Sequence, residues 1–164
     1  MQYNSRPGAE DYFMMMAQVV SMRGSCSRRK VGCVFVDKNN YVLATGYNGP
    51  AKGQKHCTDH NCPGAQLASG TGLEVCEALH AEWNSVLQCR DNQAVDGVYC
   101  TTPPCLTCVK LLMNTSARYL IVLGWYPEAD QAKAMWSSTG RIWVDHKWTN
   151  AQCDLTEVIK GIHA

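Results

Sequence analysis

The 164-residue sequence lacks an excess of charge of either sign. Its 15 lysines and arginines nearly balance its 14 aspartates and glutamates, which leaves a formal net charge of +1. Proteins that bind the phosphate backbone of nucleic acids usually carry a clear excess of basic residues. The bulk charge therefore gives no support to a nucleic-acid partner, and any basic patch would have to be local.

Long apolar runs are also missing. The most apolar stretch near the N-terminus is Met14–Met22, and Gln18 and Ser21 interrupt it. This stretch is far shorter than the ~20 residues that a membrane-spanning helix needs. Glu10 and Asp11 precede it, where a signal peptide would carry basic residues. We therefore expect a cytoplasmic protein with no membrane partner.

The sequence shows no internal repeat, no low-complexity tract and no change of composition that would mark a linker. Hydrophobic residues make up 46% and charged residues 18% of the chain, as in ordinary globular proteins. The length fits about one domain. We expect a single domain over residues 1–164.

Helical patterns alternate along the chain with short apolar runs typical of strands. Helices are predicted at Ala9–Met22, Glu74–Arg90, Cys105–Thr115, Gln131–Ser138 and Leu155–Ile162. Strands are predicted at Val31–Val36, Tyr41–Thr45, Gly97–Thr101, Tyr119–Leu123 and Arg141–Asp145. The second helix is expected to bury one apolar face, formed by Leu79, Trp83, Val86 and Leu87. The alternation predicts a three-layer α/β fold, with a mixed sheet of about five strands and helices on both faces.

A long stretch without periodicity follows Pro50 and runs to about Gly72. Structureless loops of this length are uncommon inside compact domains. The stretch contains Cys57, His60 and Cys62, which are residue types that bind metals. We expect a bound metal to hold this loop in place.

Ten cysteines make up about 6% of the chain, below the ~8–10% typical of small disulfide-linked proteins. In a reducing compartment, clustered cysteines indicate metal binding or catalysis. Four cysteines have apolar sequence neighbours and are expected to be buried as small hydrophobic residues. They are Cys33, Cys89, Cys100 and Cys153.

The strongest chemical signal comes from two short segments. One is His80-Ala81-Glu82 within the second predicted helix, and the other is Pro104-Cys105-Leu106-Thr107-Cys108 where a strand leads into a helix. A helix N-terminus lowers the pKa of nearby thiols toward the thiolate that binds metal. With His80, the two thiols would give Zn²⁺ three ligands and one open position, which is typical of catalytic zinc. Glu82 beside that position could move a proton between water and substrate.

The combined pattern H-x-E…P-C-x-x-C is the signature of zinc-dependent nucleobase deaminases. The chain resembles the deoxycytidylate (dCMP) deaminases of the zinc-dependent cytidine/deoxycytidylate deaminase superfamily, most of all their bacterial and phage branch. The resemblance runs from about Arg6 to Asp145. Its residues are Arg6-Pro7, Tyr12-Phe13-Met14, Cys26–Gly32, Gly46–Gly49, His80-Ala81-Glu82 with Asn84, and Pro104-Cys105 with Cys108. One departure is Asn84-Ser85, where the family usually has Asn-Ala.

The resemblance implies a cytidine-deaminase-like fold and the hydrolysis of dCMP to dUMP and ammonia, which supplies thymidylate synthesis. It implies that a zinc-bound hydroxide held by His80, Cys105 and Cys108 attacks C4 of cytosine. Glu82 would protonate N3 and then the leaving amine. A structural zinc site with Glu82 as a solvated surface charge is the alternative.

Three residues are expected to contact the nucleotide by the same resemblance. Asn48 would hold the deoxyribose, Tyr126 would pack on the nucleotide, and Ala81 would line its pocket. Asn48 and Tyr126 each have a simpler explanation, since Asn-Gly pairs favour turns and an aromatic residue often ends a strand.

Phosphate groups of a substrate or an effector require Lys or Arg donors. The candidates are Arg23, Arg28, Arg29, Lys30 and Lys52, with Tyr47 and Gly49 beside them. A merely solvated basic face is the alternative. The resemblance further implies a homohexamer that dCTP activates and dTTP inhibits, with Mg²⁺ accompanying the triphosphate.

A second, structural zinc is also implied. Cys26 and Cys57 match positions that carry such an ion in some dCMP deaminases. Cys62 and Cys76 are chosen as the other two ligands, with His60 or His56 as substitutes. Alternatively, these thiols are free and packing alone holds the loop.

Two competing functions share the zinc site. The first is deamination of another substrate, namely cytidine, free cytosine, guanine or tRNA adenosine. The second is a non-catalytic zinc-binding module that acts in protein assembly. A scaffold has no need for a carboxylate at the open zinc position, so Glu82 separates the second function from an enzyme.

Overall fold

The structure is a computed structural model that describes residues 6–68 and 70–162. Its helices are α1 Ala9–Ser21, α2 Ala81–Gln88, α3 Leu106–Leu112, α4 Ala129–Ser137 and α5 Thr156–Ile162. Its strands are β1 Gly32–Val36, β2 Val42–Tyr47, β3 Gly49–Pro50, β4 Ala78–Leu79, β5 Gly97–Cys100, β6 Tyr119–Val122 and β7 Ile142–Asp145. Short 3₁₀ helices lie at Pro63–Gln66, Leu73–Val75 and Ala151–Cys153. Within the described residues, no helix is both long and apolar enough to cross a membrane.

Five strands form the central sheet in the order β2-β1-β5-β6-β7. Strand β1 pairs antiparallel with both β2 and β5, whereas β5, β6 and β7 are parallel to one another. Two parallel neighbours require helical crossovers, and α3 and α4 supply them. The prediction of a mixed five-stranded sheet is confirmed.

Strand β1 is buried along its whole length because helices cover both faces of the sheet. Cys33 and Phe35 point into a core that includes residues of α2, α3 and α4, with Trp136 fully buried in it. Val34 and Val36 point to the other face, where Phe13 and neighbouring residues of α1 cover them. The predicted three-layer arrangement is confirmed. The four cysteines expected to be buried are so.

Helix α2 begins at Ala81, and the prediction that it begins at Glu74 is wrong. Leu73–Val75 forms a 3₁₀ turn, and Ala78–Leu79 forms β4, which pairs with Gly49–Pro50. The backbone of His80 is extended, with φ −72° and ψ 156°. Pairing with a strand that lies distant in sequence therefore overrides the local helical pattern before Ala81.

The prediction of which face of α2 is buried is wrong in part, because Val86 packs against the core but Trp83 and Leu87 do not. The side chain of Leu87 is 73% exposed and that of Trp83 is 38% exposed, whereas Ala81 and Ser85 are buried. The reason lies in β2, where a Cβ atom on Gly46 would lie 2.2 Å from the Ala81 carbonyl oxygen. This close approach admits only small residues there, so Trp83 and Leu87 face outward.

Other boundaries differ by a few residues from the sequence prediction. Strand β2 extends to Tyr47, two residues past the predicted end. Helix α3 begins after Cys105 and ends at Leu112, and α4 begins at Ala129. Cys105 is thereby placed at the helix start rather than inside the helix.

The C-terminal segment is anchored on α1 by buried polar side chains. The carboxylate of Asp11 accepts hydrogen bonds from the backbone N–H groups of Thr149 (3.3 Å) and Asn150 (3.0 Å) and from the Thr149 hydroxyl (2.6 Å). Its Oδ1 atom also lies 3.3 Å from Nε2 of His146. Two turns further along α1, the Gln18 side chain donates a 3.0 Å hydrogen bond to the side chain of Asp154.

Candidate active site

The candidate site lies at the carboxyl ends of the parallel strands β5 and β6, where the N-terminus of α2 faces them. Strand β5 ends at Cys100 and leads through Pro103 and Pro104 into α3. Open α/β sheets generally place their ligand sites at this edge. The topology therefore brings the N-terminus of α2 next to the β5–α3 connection, although the two lie more than twenty residues apart in sequence.

Three metal-binding atoms converge here. His80 Nδ1 lies 3.2 Å from Cys108 Sγ and 3.6 Å from Cys105 Sγ. Among the residues that the structure describes, this is the only group of three or more His, Cys, Asp or Glu ligand atoms within 4.8 Å of one another. Both thiols are buried, and the histidine is half-buried. The structure thus brings together the three side chains that the sequence motifs single out.

Two helices begin at this point, with His80 and Cys105 at their N-cap positions. Helix N-termini present unpaired backbone N–H groups and a partial positive charge. Pro103 and Pro104 keep the chain extended just before Cys105, because proline disfavours helical backbone in the residue before it. The local sequence thereby sets where α3 starts and where its two thiols point.

Hydrogen bonding shifts the protonation of the ligand set. The hydrogen bond from Cys108 is the largest influence on Cys105, and together with His80 it lowers the pKa of Cys105 to about 4. The hydrogen bond with Cys105 likewise raises the pKa of His80. Cys105 is therefore a thiolate at neutral pH, the form of cysteine that ligates metals.

Glu82 is a buried carboxylate directly beside this group. Its side chain is only 3% exposed and interacts with the Cys108 thiol. Burial raises the pKa of Glu82 above its usual value. A raised pKa favours the protonated form of a carboxyl group, which a general acid–base catalyst must form and then give up.

A cleft opens onto His80, Glu82 and Cys105. Both apolar and polar side chains line it, as in typical small-molecule sites. The buried carboxylate of Glu82 is therefore reached from this cleft.

The three residues expected to contact a nucleotide all line the cleft. Ala81 is fully buried, and burial raises the pKa of Tyr126 to about 12. The Asn48 side chain accepts a 2.8 Å hydrogen bond from the backbone N–H of Val31 and donates a 2.7 Å bond to the carbonyl of Arg29. Asn48 therefore also joins the loop after β2 to the segment before β1.

The expected phosphate-binding residues are divided between two places. Arg28 and Arg29 line the cleft, and the Arg29 guanidinium lies 5.9 Å from the ring centre of Tyr126. The others lie outside the cleft lining: Arg23, Lys30, Tyr47, Gly49 and Lys52. Arg23 is exposed and lies 5.9 Å from the ring centre of Tyr47.

The four cysteines assigned to a second metal lie near one another, but less compactly than the first set. Burial, followed by the neighbouring thiols of Cys62, Cys26 and Cys76, raises the pKa of Cys57 to about 12. Cys57 and Cys62 are each 1% exposed. The substitute ligands have other partners. His60 bonds Glu77 at 2.5 Å, and His56 bonds Ser25 at 3.0 Å.

Gly70 and Leu73 also line the cleft, and sequence reasoning missed both. They lie in or beside the stretch without periodicity, so no local pattern could mark them. The motif does not indicate the structural role of Asn84, whose side chain donates a 2.7 Å hydrogen bond to the carbonyl of Tyr47. That bond fixes the loop after β2 to α2.

Comparison with known proteins adds family evidence. Residues 8–124 match the family described as the cytidine and deoxycytidylate deaminase zinc-binding region. The chain is 44% identical over 109 residues to a deoxycytidylate deaminase of Schizosaccharomyces pombe, an alignment that covers 63% of this chain and 33% of the yeast protein. It is 36% identical to the deoxycytidylate deaminase of Mycobacterium phage D29, covering 66% of this chain and 88% of the phage protein. The chain spans about a third of the length of the yeast relatives.

The fold also has solved counterparts. The structure of dCMP deaminase from the cyanophage S-TIM5, in complex with dCMP and dUMP, superposes with a TM-score of 0.66 and 23% sequence identity. The match covers 87% of this chain and 98% of the cyanophage chain. The three-layer architecture is thus shared along almost the whole length of that protein.

Proposed function

The chain belongs to the cytidine and deoxycytidylate deaminase family, and from that premise we propose that it hydrolyses dCMP to dUMP and ammonia. The observation that carries the proposal is the buried Glu82 carboxylate beside the converging ligand atoms of His80, Cys105 and Cys108. The similarity to deoxycytidylate deaminases of yeast and phage supports dCMP as the substrate.

The residues at the site fit a catalytic Zn²⁺. One imidazole nitrogen and two sulfurs are the donor types that zinc prefers, and three protein ligands leave a position open. The lowered pKa of Cys105 supplies one ligand already in its thiolate form. When bound, the ion acts as a Lewis acid that lowers the pKa of water.

Glu82 supplies the proton transfers in this proposal. Its carboxylate accepts one proton from the attacking water and delivers it to N3 of the cytosine. It then accepts the second proton from the hydroxyl group now on C4 and passes it to the leaving amine, as the C4–N bond breaks. Burial supports this role, because it raises the pKa of Glu82 and so favours the protonated form that must return the proton. The enclosure also excludes bulk water that would compete for the proton.

The cleft side chains would hold the nucleotide. We assign the 5′-phosphate to Arg29, whose guanidinium lies on the Tyr126 ring at the cleft wall. The Tyr126 ring would pack on the nucleotide, and Asn48 would face the deoxyribose. Arginine suits a phosphate because its planar fork can donate two parallel hydrogen bonds.

We extend the proposal to regulation by dCTP as activator and dTTP as inhibitor, each carried with Mg²⁺. The support comes from the placement of two exposed cations outside the cleft. Arg23 lies 5.9 Å from the ring centre of Tyr47 in the loop Gly46–Gly49, and Lys52 follows that loop by three residues. They could meet a second nucleotide without occupying the substrate cleft.

A homohexamer is also part of the proposal. Trp83 and Leu87 lie one turn apart on the outer face of α2 and are both exposed. Trp83 also lines a groove together with the half-buried side chains of Leu73 and Leu79. Exposed apolar side chains grouped in this way are typical of subunit interfaces.

We further propose that Cys26, Cys57, Cys62 and Cys76 hold a structural zinc, supported by the mutual influence of their thiols. The purified protein should then contain two zinc ions per chain by elemental analysis. Cys62→Ser should reduce that number to one, whereas Cys153→Ser, a buried thiol elsewhere, should leave it at two. A wild-type content of one ion would contradict the second site.

The proposed activity is tested with purified protein supplied with dCMP, dCTP, deoxycytidine and cytosine in parallel, following the loss of cytosine absorbance. We expect turnover of dCMP alone. Added dTTP should suppress it and added dCTP should restore it, because both effectors act outside the cleft.

Each other outcome has a definite meaning. Turnover of the nucleoside or the free base would keep the zinc chemistry and remove Arg29 as a phosphate ligand. Turnover of dCMP without any response to dTTP or dCTP would remove the regulatory part. No turnover of any of these compounds by zinc-loaded protein would contradict the proposed function.

A further inference from the structure

One arginine side chain of the cleft is already engaged with backbone. A terminal guanidinium nitrogen of Arg28 donates to the carbonyl oxygen of Gly64 at 2.7 Å. The same nitrogen lies within 3.3–3.4 Å of the carbonyl oxygens of Leu67, Ala68 and Thr71. Four carbonyls of one aperiodic segment thus surround a single positively charged nitrogen.

Several carbonyl acceptors therefore compete for one charged donor group. The nitrogen carries two hydrogens, so the four carbonyls share them, with the Gly64 bond the shortest. Hydrogen bonds from a charged donor are about twice as strong as neutral ones. The described residues of this segment, 64–68 and 70–71, have no regular secondary structure beyond one 3₁₀ turn at Pro63–Gln66. Arg28 therefore replaces contacts that a helix or strand would provide.

The same segment forms part of the cleft wall. Gly70, with a φ of +83°, lines the cleft, as does Leu73. A Cβ atom on Gly70 would lie 3.3 Å from Pro127 Cγ and 3.7 Å from the Tyr126 hydroxyl. The wall therefore lies against the loop that carries Tyr126, and a small displacement of Gly70 would change the width of the cleft.

We propose that Arg28 is a positioning residue for nucleotide binding, which fixes the wall segment by gathering the carbonyls of Gly64, Leu67, Ala68 and Thr71. It acts through Gly70 and Leu73 rather than by contact with the substrate phosphate. The effect on substrate affinity rests on the proposed dCMP deaminase function, whereas the effect on the wall segment does not.

The kinetic test is Arg28→Ala in the zinc-loaded protein. We expect KM for dCMP to rise about tenfold, which matches the loss of a charge-assisted hydrogen bond, while kcat changes by less than about threefold. Guanidinium ion at millimolar concentration should lower KM again, because the four carbonyls remain as a binding site for it. Arg28→Lys should retain part of the effect, since an ammonium group can also donate to carbonyls.

Arg141→Ala is the matched control. The Arg141 guanidinium also bonds backbone carbonyls, those of Met113 at 2.8 Å and Thr115 at 3.2 Å, but it lies outside the cleft lining. Arg141→Ala should therefore leave KM for dCMP unchanged, and added guanidinium should not alter it. An equal rise of KM in both variants would show a general loss of stability and would overturn the proposal.

Hydrogen exchange tests the wall segment without any assay of activity. Amides of residues 64–68 and 70–73 should exchange at least about tenfold faster in Arg28→Ala, and guanidinium should slow them again. Unchanged amide exchange in Arg28→Ala, with or without a raised KM, would overturn the proposal. A raised KM for dCMP that guanidinium does not lower would overturn it too, and would make Arg28 a direct phosphate ligand. If wild-type protein turned over no dCMP, the proposed function would fail while faster exchange in the variant still supported the positioning role.

Discussion

Replacing Glu82 with glutamine should lower kcat on the order of 10³-fold, which is the scale of a lost general acid–base catalyst. Glutamine keeps the size of the side chain but cannot accept and return a proton. Because the carboxylate is 3% exposed and lies beside the ligand atoms, neither bulk water nor a surface buffer can easily take over its role. The measurement is a dCMP assay together with zinc content and a thermal unfolding curve.

The control for this experiment is Glu157→Gln, which removes the charge of an exposed glutamate paired with Lys160 in α5. That variant should keep wild-type turnover. Zinc content and fold should be unchanged in both variants, since Glu82 is not one of the three ligand residues. A Glu82→Gln protein that holds zinc and retains turnover within about tenfold of wild type would remove Glu82 from the mechanism.

The residues of this site could be identified from sequence because their chemistry is local. His80 and Glu82 are two residues apart, Cys105 and Cys108 are three apart, and the types of residue themselves indicate zinc. The geometry of the site is harder to predict from the sequence. The sequence pattern extended the helix back to Glu74, whereas the structure starts it at Ala81 and directs its N-terminus into the cleft.

What sequence reasoning missed depends on contacts between distant segments. The buried face of α2 is decided by Gly46, about forty residues earlier, whose close approach excludes large side chains. The cleft wall at Gly70 is held by Arg28, also about forty residues away. Neither relation leaves a period or a motif in the sequence, so helical spacing pointed to Trp83 and Leu87 as core residues.

Replacing Asp11 with alanine should destabilise the protein by about 3 kcal/mol, which is the scale for breaking a buried polar pair from one side. The side chains of Asp11 and His146 are 0% and 1% exposed. Alanine would leave the backbone N–H groups of Thr149 and Asn150 and the Thr149 hydroxyl without their acceptor, and would remove the carboxylate that lies beside His146. Urea unfolding followed by fluorescence measures the change in free energy of unfolding.

The control is Asp145→Ala, which breaks the 2.6 Å pair with Lys133. The Asp145 side chain is 63% exposed, so this loss should cost less than about 1 kcal/mol. Asp11→Asn separates charge from shape, because an amide oxygen can still accept from Thr149. The loss of unfolding free energy in Asp11→Asn should lie between the losses in Asp145→Ala and Asp11→Ala.

The stability that Asp11 contributes should also depend on pH. Burial alone raises the pKa of Asp11, but the hydrogen bonds from Thr149 and Asn150 and the nearby His146 outweigh burial and hold the pKa below its usual value of 3.8. A group whose folded pKa is lowered stabilises the fold above its unfolded pKa and loses that contribution as pH falls. The difference in unfolding free energy between wild type and Asp11→Ala should therefore be full at neutral pH and shrink below about pH 4. A difference that stayed constant down to pH 3 would show that the carboxylate charge of Asp11 contributes nothing to anchoring the C-terminal segment on α1.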